Sequence, residues 1–148
     1  MADAALAALV ANLFLAIQDI SGYAPPTVPP QILRVSHAVI ERDICNGPCQ
    51  IRAYYDPTRG VFLEDTLDVH NDTLAQSILL HELVHHVQSV SGRFDMTGVD
   101  CARQNRAEAE AYLIQNRYLM SIHSPHRVAM TGWASRCGAT EPPTPGRG

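Results

Sequence analysis

The fold of this chain has to accommodate residues 77–88, which combine an apolar helix pattern with the sequence His-Glu-x-x-His. At about 100° per residue, His81, Glu82 and His85 share one side of a helix. The opposite side is apolar and consists of Leu79, Leu80, Leu83, Val84, Val87 and Val90. A helix that is apolar on its back and polar along one stripe is typical of a buried helix that carries a site.

The polar stripe predicts a metal site. His81 and His85 are four residues apart, so on a helix both imidazoles can bind one tetrahedral zinc ion. Glu82 lies at the edge of the same face, where its carboxylate can take a proton from zinc-activated water. The chain contains seven histidines, so a chance match is the alternative. Burying two unpaired imidazoles and a carboxylate in an apolar helix would be costly, which favours the metal site.

A third protein ligand is expected on a second helix, which the pattern places at residues 102–121. On a helical wheel Glu108 shares a face with Tyr112 and other apolar or aromatic residues. Glu110 falls on the far side, four residues from Arg106, where a solvent-side ion pair would explain it. Zinc bound by two histidines still lacks a third protein ligand. Glu108 is therefore the best candidate, with Glu110 as the main rival.

The remaining pattern predicts an α+β fold. With 148 residues and 46% hydrophobic content, one domain with a fair core is expected, covering residues 1–137. Apolar spacing predicts an N-terminal helix, a small antiparallel sheet or hairpin, and the metal helix packed on the second helix. The segments are a helix at 3–20, strands at 31–36, 51–56 and 61–68 with a turn at 57–60, and an ambiguous stretch at 37–45. The expected caps are Asp3, Gly22, Asn71 or Asp72, Gly92 and Asp100.

Charge and hydropathy limit the partners. The net charge of −4 does not indicate the excess of basic residues that is typical of nucleic-acid-binding proteins. The apolar segment 3–20 could be a signal peptide, but no Lys or Arg precedes it and Asn12 interrupts it. It is also too short for a membrane span, so we expect a core helix and no span. Residues 138–148 are rich in Pro and Gly, and we expect a disordered tail.

The four cysteines predict two disulfides and hence a secreted or periplasmic protein. Cys45 and Cys49 flank a turn and can close a short local loop. Cys101 and Cys137 would then join the C-terminal part to the core. The alternatives are a cysteine metal site or free thiols in a cytoplasmic protein, but no convincing second pair accompanies the Cys-x-x-x-Cys spacing.

These motifs together resemble the zincin metallopeptidases, specifically the gluzincin branch. In that branch His-Glu-x-x-His on one helix is completed by a Glu on a following helix, often within Glu-x-x-Ala-Asp or Glu-x-x-Ala-Asn. Residues 108–112 read Glu-Ala-Glu-Ala-Tyr and depart from that pattern at Tyr112, where the usual acidic or amide partner of a zinc ligand would stand. The resemblance covers about residues 61–120. It implies a minimal zincin-like core, zinc held by His81, His85 and Glu108, and a peptide substrate held by an edge strand at residues 61–68.

The implied activity is zinc-dependent hydrolysis of peptide bonds, with Glu82 as the general base and Tyr112 as a donor near the metal or to the oxyanion. Other candidates for that donor, each otherwise an ordinary core or surface residue, are His123, His126, Tyr54 and Tyr55. His86 lies about 100° from His85, so a core or surface role is expected for it. Gln88 lies near the polar stripe and either hydrogen-bonds at the site or simply packs.

Two other functional classes remain open. One is a non-proteolytic zinc-containing binding module that holds a peptide or protein partner. Such a module has no need of a carboxylate at Glu82, whose presence favours the enzyme. The other is a purely structural zinc site, which is usually closed by four protein ligands rather than three.

Overall fold

The computed structural model describes residues 3–94 and 101–129 and has an α+β architecture, as the sequence predicts. Four helices and a three-stranded sheet make up these residues. The helices are α1 (Ala4–Ser21), α2 (His37–Ile40), α3 (Thr73–Ser91) and α4 (Cys101–Ser121); the strands are β1 (Ile32–Val35), β2 (Ala53–Asp56) and β3 (Gly60–Glu64). The ambiguous stretch is helical, because α2 continues into a π-helical turn, Glu41–Cys45.

The helix ends lie where the capping residues predict them. The side chain of Asp3 accepts hydrogen bonds from two amides in the first turn of α1, and the side chain of Asp72 accepts one from the amide of Leu74 in α3. Each helix then ends at a glycine in the left-handed conformation, Gly22 for α1 and Gly92 for α3. Glycine adopts this conformation without the steric cost that a Cβ would bring.

The sheet is mixed, whereas the sequence predicts an antiparallel one. Its strand order is β1-β3-β2, with β1 parallel and β2 antiparallel to β3. The hairpin of β2 and β3 is the predicted one, but the parallel pairing comes from the crossover through α2. Gly60 begins β3 close to β1, where a Cβ would collide with the carbonyl oxygen of Gln31.

The position of β3 corrects one expectation. Residues 61–68 do not form an edge strand, because β3 is the central strand and ends at Glu64. Its backbone is paired on both sides, so a peptide cannot add to it as a further strand. Among the described residues, the two edge strands of this sheet are β1 and β2. The sequence shows which segments are strands but not which strand lies between the other two.

Helix α3 is the centre of the core and packs against α1, α4 and β2. Leu79, Leu80 and Leu83 are fully buried, and burial of such a side chain contributes about 1.5–3 kcal/mol. Two alanines of α4, Ala107 and Ala111, are also fully buried. Their small side chains let α4 approach α3 closely, which places Glu108 beside the histidine face.

The N-terminal helix contributes one apolar face to this core. Val10, Leu13, Phe14 and Ile17 of α1 are buried. By length and composition alone, α1 is the one helix of the described ranges that is long and apolar enough to cross a membrane. That no segment spans a membrane therefore stays a prediction.

One of the two predicted disulfides is present, between Cys45 and Cys49. The other predicted pair involves Cys137, which lies outside the described residues. The same holds for the expected cap Asp100 and the tail 138–148. Within the described ranges no cysteine is a free thiol.

Candidate metal centre

His81 and His85 of α3 meet Glu108 of α4 in one buried cluster. The Oε1 atom of Glu108 lies 2.9 Å from Nε2 of His81 and 2.6 Å from Nε2 of His85. The potential ligand atoms of the three residues all lie within 4.8 Å of one another. The side chains of the histidines are 7% exposed and that of Glu108 is 12% exposed. These three residues can hold a metal ion, and they are the three that the sequence singles out.

The second nitrogen of His85 is bound by an amide. Its Nδ1 lies 2.8 Å from Oε1 of Gln88, which is fully buried. The amide nitrogen of Gln88 donates to the carbonyl oxygen of Ala107 at 2.9 Å and to Oε1 of Glu110 at 3.0 Å. Gln88 therefore hydrogen-bonds at the site, which is one of the two roles the sequence leaves open for it.

The second nitrogen of His81 has an equivalent partner on α4. Its Nδ1 lies 2.9 Å from Oε1 of Gln115. The amide nitrogen of Gln115 donates to Oγ of Ser77 at 3.0 Å, and Ser77 donates to the carbonyl oxygen of Leu74. Gln115 is 2% exposed. No role is predicted for Gln115 from the sequence, although a glutamine seven residues after Glu108 on a buried helix face is the signal that could have identified it.

The charges of the cluster are coupled. Burial alone would raise the pKa of Glu108, but the imidazoles of His85 and His81 hold it well below its usual range. Burial opposes the charged form of His85, yet the Glu108 carboxylate, with smaller contributions from Glu82 and Gln88, raises its pKa to about 9. Without a metal, protonated imidazole compensates the buried carboxylate. A metal has to displace these protons, so its affinity falls in acid.

Glu82 is buried next to the cluster but forms no hydrogen bond or ion pair with its residues. Its exposed fraction is 8%. Within the described ranges it makes no hydrogen bond or ion pair, and its contribution to the site is the charge that helps raise the pKa of His85. The carboxylate oxygens are therefore not occupied by another described residue and can accept a proton.

Tyr112 lies against the site, as the sequence predicts. Its ring centroid is 4.5 Å from that of His81, with the two ring planes tilted by 58°. The other candidate donors have different surroundings. The hydroxyl of Tyr55 pairs with Nδ1 of His86 at 3.0 Å, Tyr54 is partly exposed, and His123 and His126 are exposed.

His86 packs against core rings, which is one of the two roles expected for it. Its ring lies 6.1 Å from that of Phe14 and 5.6 Å from that of Tyr55. Burial lowers its pKa, so the neutral ring is favoured. It therefore takes no part in the cluster formed by its neighbour His85.

Glu110 does not have the predicted environment. The predicted solvent-side ion pair with Arg106 is wrong, and Arg106 is exposed. Glu110 instead accepts a hydrogen bond from the hydroxyl of Tyr23. It also pairs with Arg93, whose Nε lies 3.2 Å from Oε2 of Glu110. Both partners lie outside α4, one just after α1 and one just after α3. These segments cover α4 around Glu110, while Arg106 remains exposed. A helical wheel shows which residues share a face but not what packs on that face.

The comparisons with known proteins identify a family, and that family has no described activity. Residues 3–141 match the model of one family, described as a domain of unknown function (DUF6647). A search of curated proteins and a search of solved structures gave no match.

Proposed function

The chain belongs to the DUF6647 family, and we propose that it is a zinc-dependent metallopeptidase of the gluzincin type. The observation that carries the proposal is the convergence of His81, His85 and Glu108 beside an unengaged Glu82. His-Glu-x-x-His on one helix with a Glu ligand on the next is the arrangement that the gluzincin resemblance implies.

The ligand set supports zinc. Two imidazole nitrogens and one carboxylate oxygen are typical of catalytic zinc sites, which keep a fourth position open. Structural zinc sites are usually closed by four protein ligands, and in the described part of the chain the cluster contains only three. A purely structural site is therefore the less favoured reading of this geometry.

The roles of the side chains follow from their chemistry. When bound, zinc supplies Lewis acidity that polarises a carbonyl and helps water to ionise near neutral pH. The Glu82 carboxylate accepts the proton of the attacking water and passes it to the nitrogen of the leaving amine. We assign Tyr112, whose ring packs on His81, as a hydrogen-bond donor to the substrate oxygen that gains negative charge.

The location we propose is secreted or periplasmic. The disulfide between Cys45 and Cys49 is compatible with an oxidising compartment. Free thiols at these positions in protein isolated without reductant would favour the cytoplasm instead.

The test of this function compares the wild type with Glu82→Gln on a diverse peptide library, with the zinc content of each sample measured in parallel. The amide is close in shape to the carboxylate but cannot accept the proton. We expect the variant to keep its zinc and lose about 10²–10⁴-fold in hydrolysis. Equal cleavage by both proteins would contradict the mechanism. Zinc binding without cleavage by either would favour the binding module that holds a peptide or protein partner.

A further inference from the structure

We propose that Gln88 and Gln115 are positioning residues that present the Nε2 atoms of His85 and His81 to the metal, and that Glu110 fixes the orientation of Gln88. This inference rests on the metal centre of the proposed function but not on peptide hydrolysis. It assigns a role to three polar side chains that neither bind the metal nor act as the general base.

The orientation of the Gln88 amide is fixed by its partners. The carbonyl oxygen of Ala107 and the carboxylate of Glu110 can only accept hydrogen bonds, so both must face the amide nitrogen of Gln88. The amide oxygen then faces Nδ1 of His85. Because this oxygen is an acceptor, Nδ1 carries the hydrogen, which leaves the lone pair of Nε2 for a metal.

The same reasoning applies to His81. Ser77 uses its hydroxyl hydrogen on the carbonyl oxygen of Leu74, so its oxygen accepts from the amide nitrogen of Gln115. The amide oxygen of Gln115 therefore faces Nδ1 of His81 and accepts its hydrogen. Both ligands are fixed in the same tautomer by separate amides, one on α3 and one on α4.

These amides also account for the departure at Tyr112. The acidic or amide partner that the family pattern places there is supplied by Gln115 for His81 and by Gln88 for His85. Glu110 stabilises the second arrangement, because it accepts from Gln88 while Tyr23 and Arg93 hold the carboxylate. The end of α1 thereby becomes part of the structure that orients a metal ligand.

The test is zinc affinity, measured by competition with a chelator, for the wild type, Gln88→Leu and a matched control. Gln76→Leu is the control, because Gln76 also lies on α3 and also donates to a backbone carbonyl, that of Val69 at 3.0 Å, but contacts no metal ligand. We expect Gln88→Leu to weaken zinc binding about 10–100-fold, which is typical for loss of such a partner, and Gln76→Leu to stay within about twofold of the wild type.

A second variant protects the test against misfolding of Gln88→Leu. Gln115→Leu removes the amide partner of His81 on the other helix and leaves the contacts of Gln88 unchanged. We expect it to weaken zinc binding by about 10–100-fold as well, because it removes the equivalent partner of the second histidine ligand.

The binding nitrogen gives a readout that does not depend on activity. In zinc-loaded protein with ¹⁵N-labelled histidine, we expect the NMR shifts of His81 and His85 to show zinc on Nε2 and hydrogen on Nδ1. Zinc on Nδ1, or Gln88→Leu affinity equal to that of Gln76→Leu, would overturn the positioning role. If Gln88→Leu loses zinc affinity but the wild type shows no peptidase activity, only the proposed hydrolysis is overturned. Absence of zinc binding by the wild type would overturn both proposals.

Discussion

The Nε2 atom of His85 lies 2.6 Å from Oε1 of Glu108, although 23 residues separate them in the chain. The contact joins α3 to α4 at the metal-binding cluster. Glu110, only two residues further on, instead binds Tyr23, Gln88 and Arg93. The two glutamates therefore have different roles that single substitutions can separate.

Glu108→Ala should lose zinc affinity by more than the roughly 10–100-fold expected for a residue that only orients a ligand, because it removes one of three ligands. Glu110→Ala should lose less than about tenfold in affinity, because the carbonyl oxygen of Ala107 still orients Gln88. It should also lower the free energy of unfolding by about 1 kcal/mol, because the half-buried hydroxyl of Tyr23 loses its acceptor. Chelator competition and urea unfolding measure the two effects. Loss of zinc in Glu110→Ala with retention in Glu108→Ala would contradict the ligand assignment.

The disulfide between Cys45 and Cys49 should contribute only modestly to stability. The loop it closes is short, and the chain-entropy estimate for such a loop is about 2 kcal/mol. The double variant Cys45→Ser/Cys49→Ser should therefore remain folded and unfold at a lower urea concentration than the oxidised wild type. A wild type whose unfolding midpoint is unchanged by reductant would contradict this contribution.

The turn of the β2–β3 hairpin should respond to acid through Asp56. Burial would raise the pKa of Asp56, but hydrogen bonds from Thr58 and Arg59 lower it to about 2. A carboxyl with a lowered folded-state pKa stabilises the protein above its unfolded pKa, near 4, and this contribution is lost as the pH falls to about 2. Asp56→Asn should therefore show a shallower loss of stability between pH 4 and pH 2, measured by unfolding at each pH. Identical pH profiles for the two proteins would contradict this role.

The local parts of the fold were predictable because short-range chemistry determines them. Asp3 and Gly22 set the ends of α1, and Asp72 and Gly92 those of α3. The parallel pairing of β1 with β3 depends on a crossover and on contacts distant in sequence, such as Gln31 against Gly60. Periodicity carries no information on such a pairing, so the central position of β3 was not predictable.

The site likewise combines local features that the sequence predicts with long-range contacts that it does not. The spacing of His81 and His85 fixes their common face on any helix, and the wheel gives the face of Glu108. The environment of Glu110 was mispredicted because Tyr23, one of its partners, is 87 residues away. Gln88 and Gln115 lie on predictable faces, but their pairing with particular histidines depends on how closely α4 packs on α3.

The zinc content of the purified protein is the decisive measurement for the metal site. Elemental analysis should find about one zinc ion per chain in the wild type, bound by three protein ligands, and little or none in His81→Ala or His85→Ala. Addition of zinc at about 100 times its dissociation constant should raise the free energy of unfolding of the metal-free wild type by about 2.7 kcal/mol and leave the variants unchanged. A wild type that contains no metal and binds none on reconstitution would contradict the account.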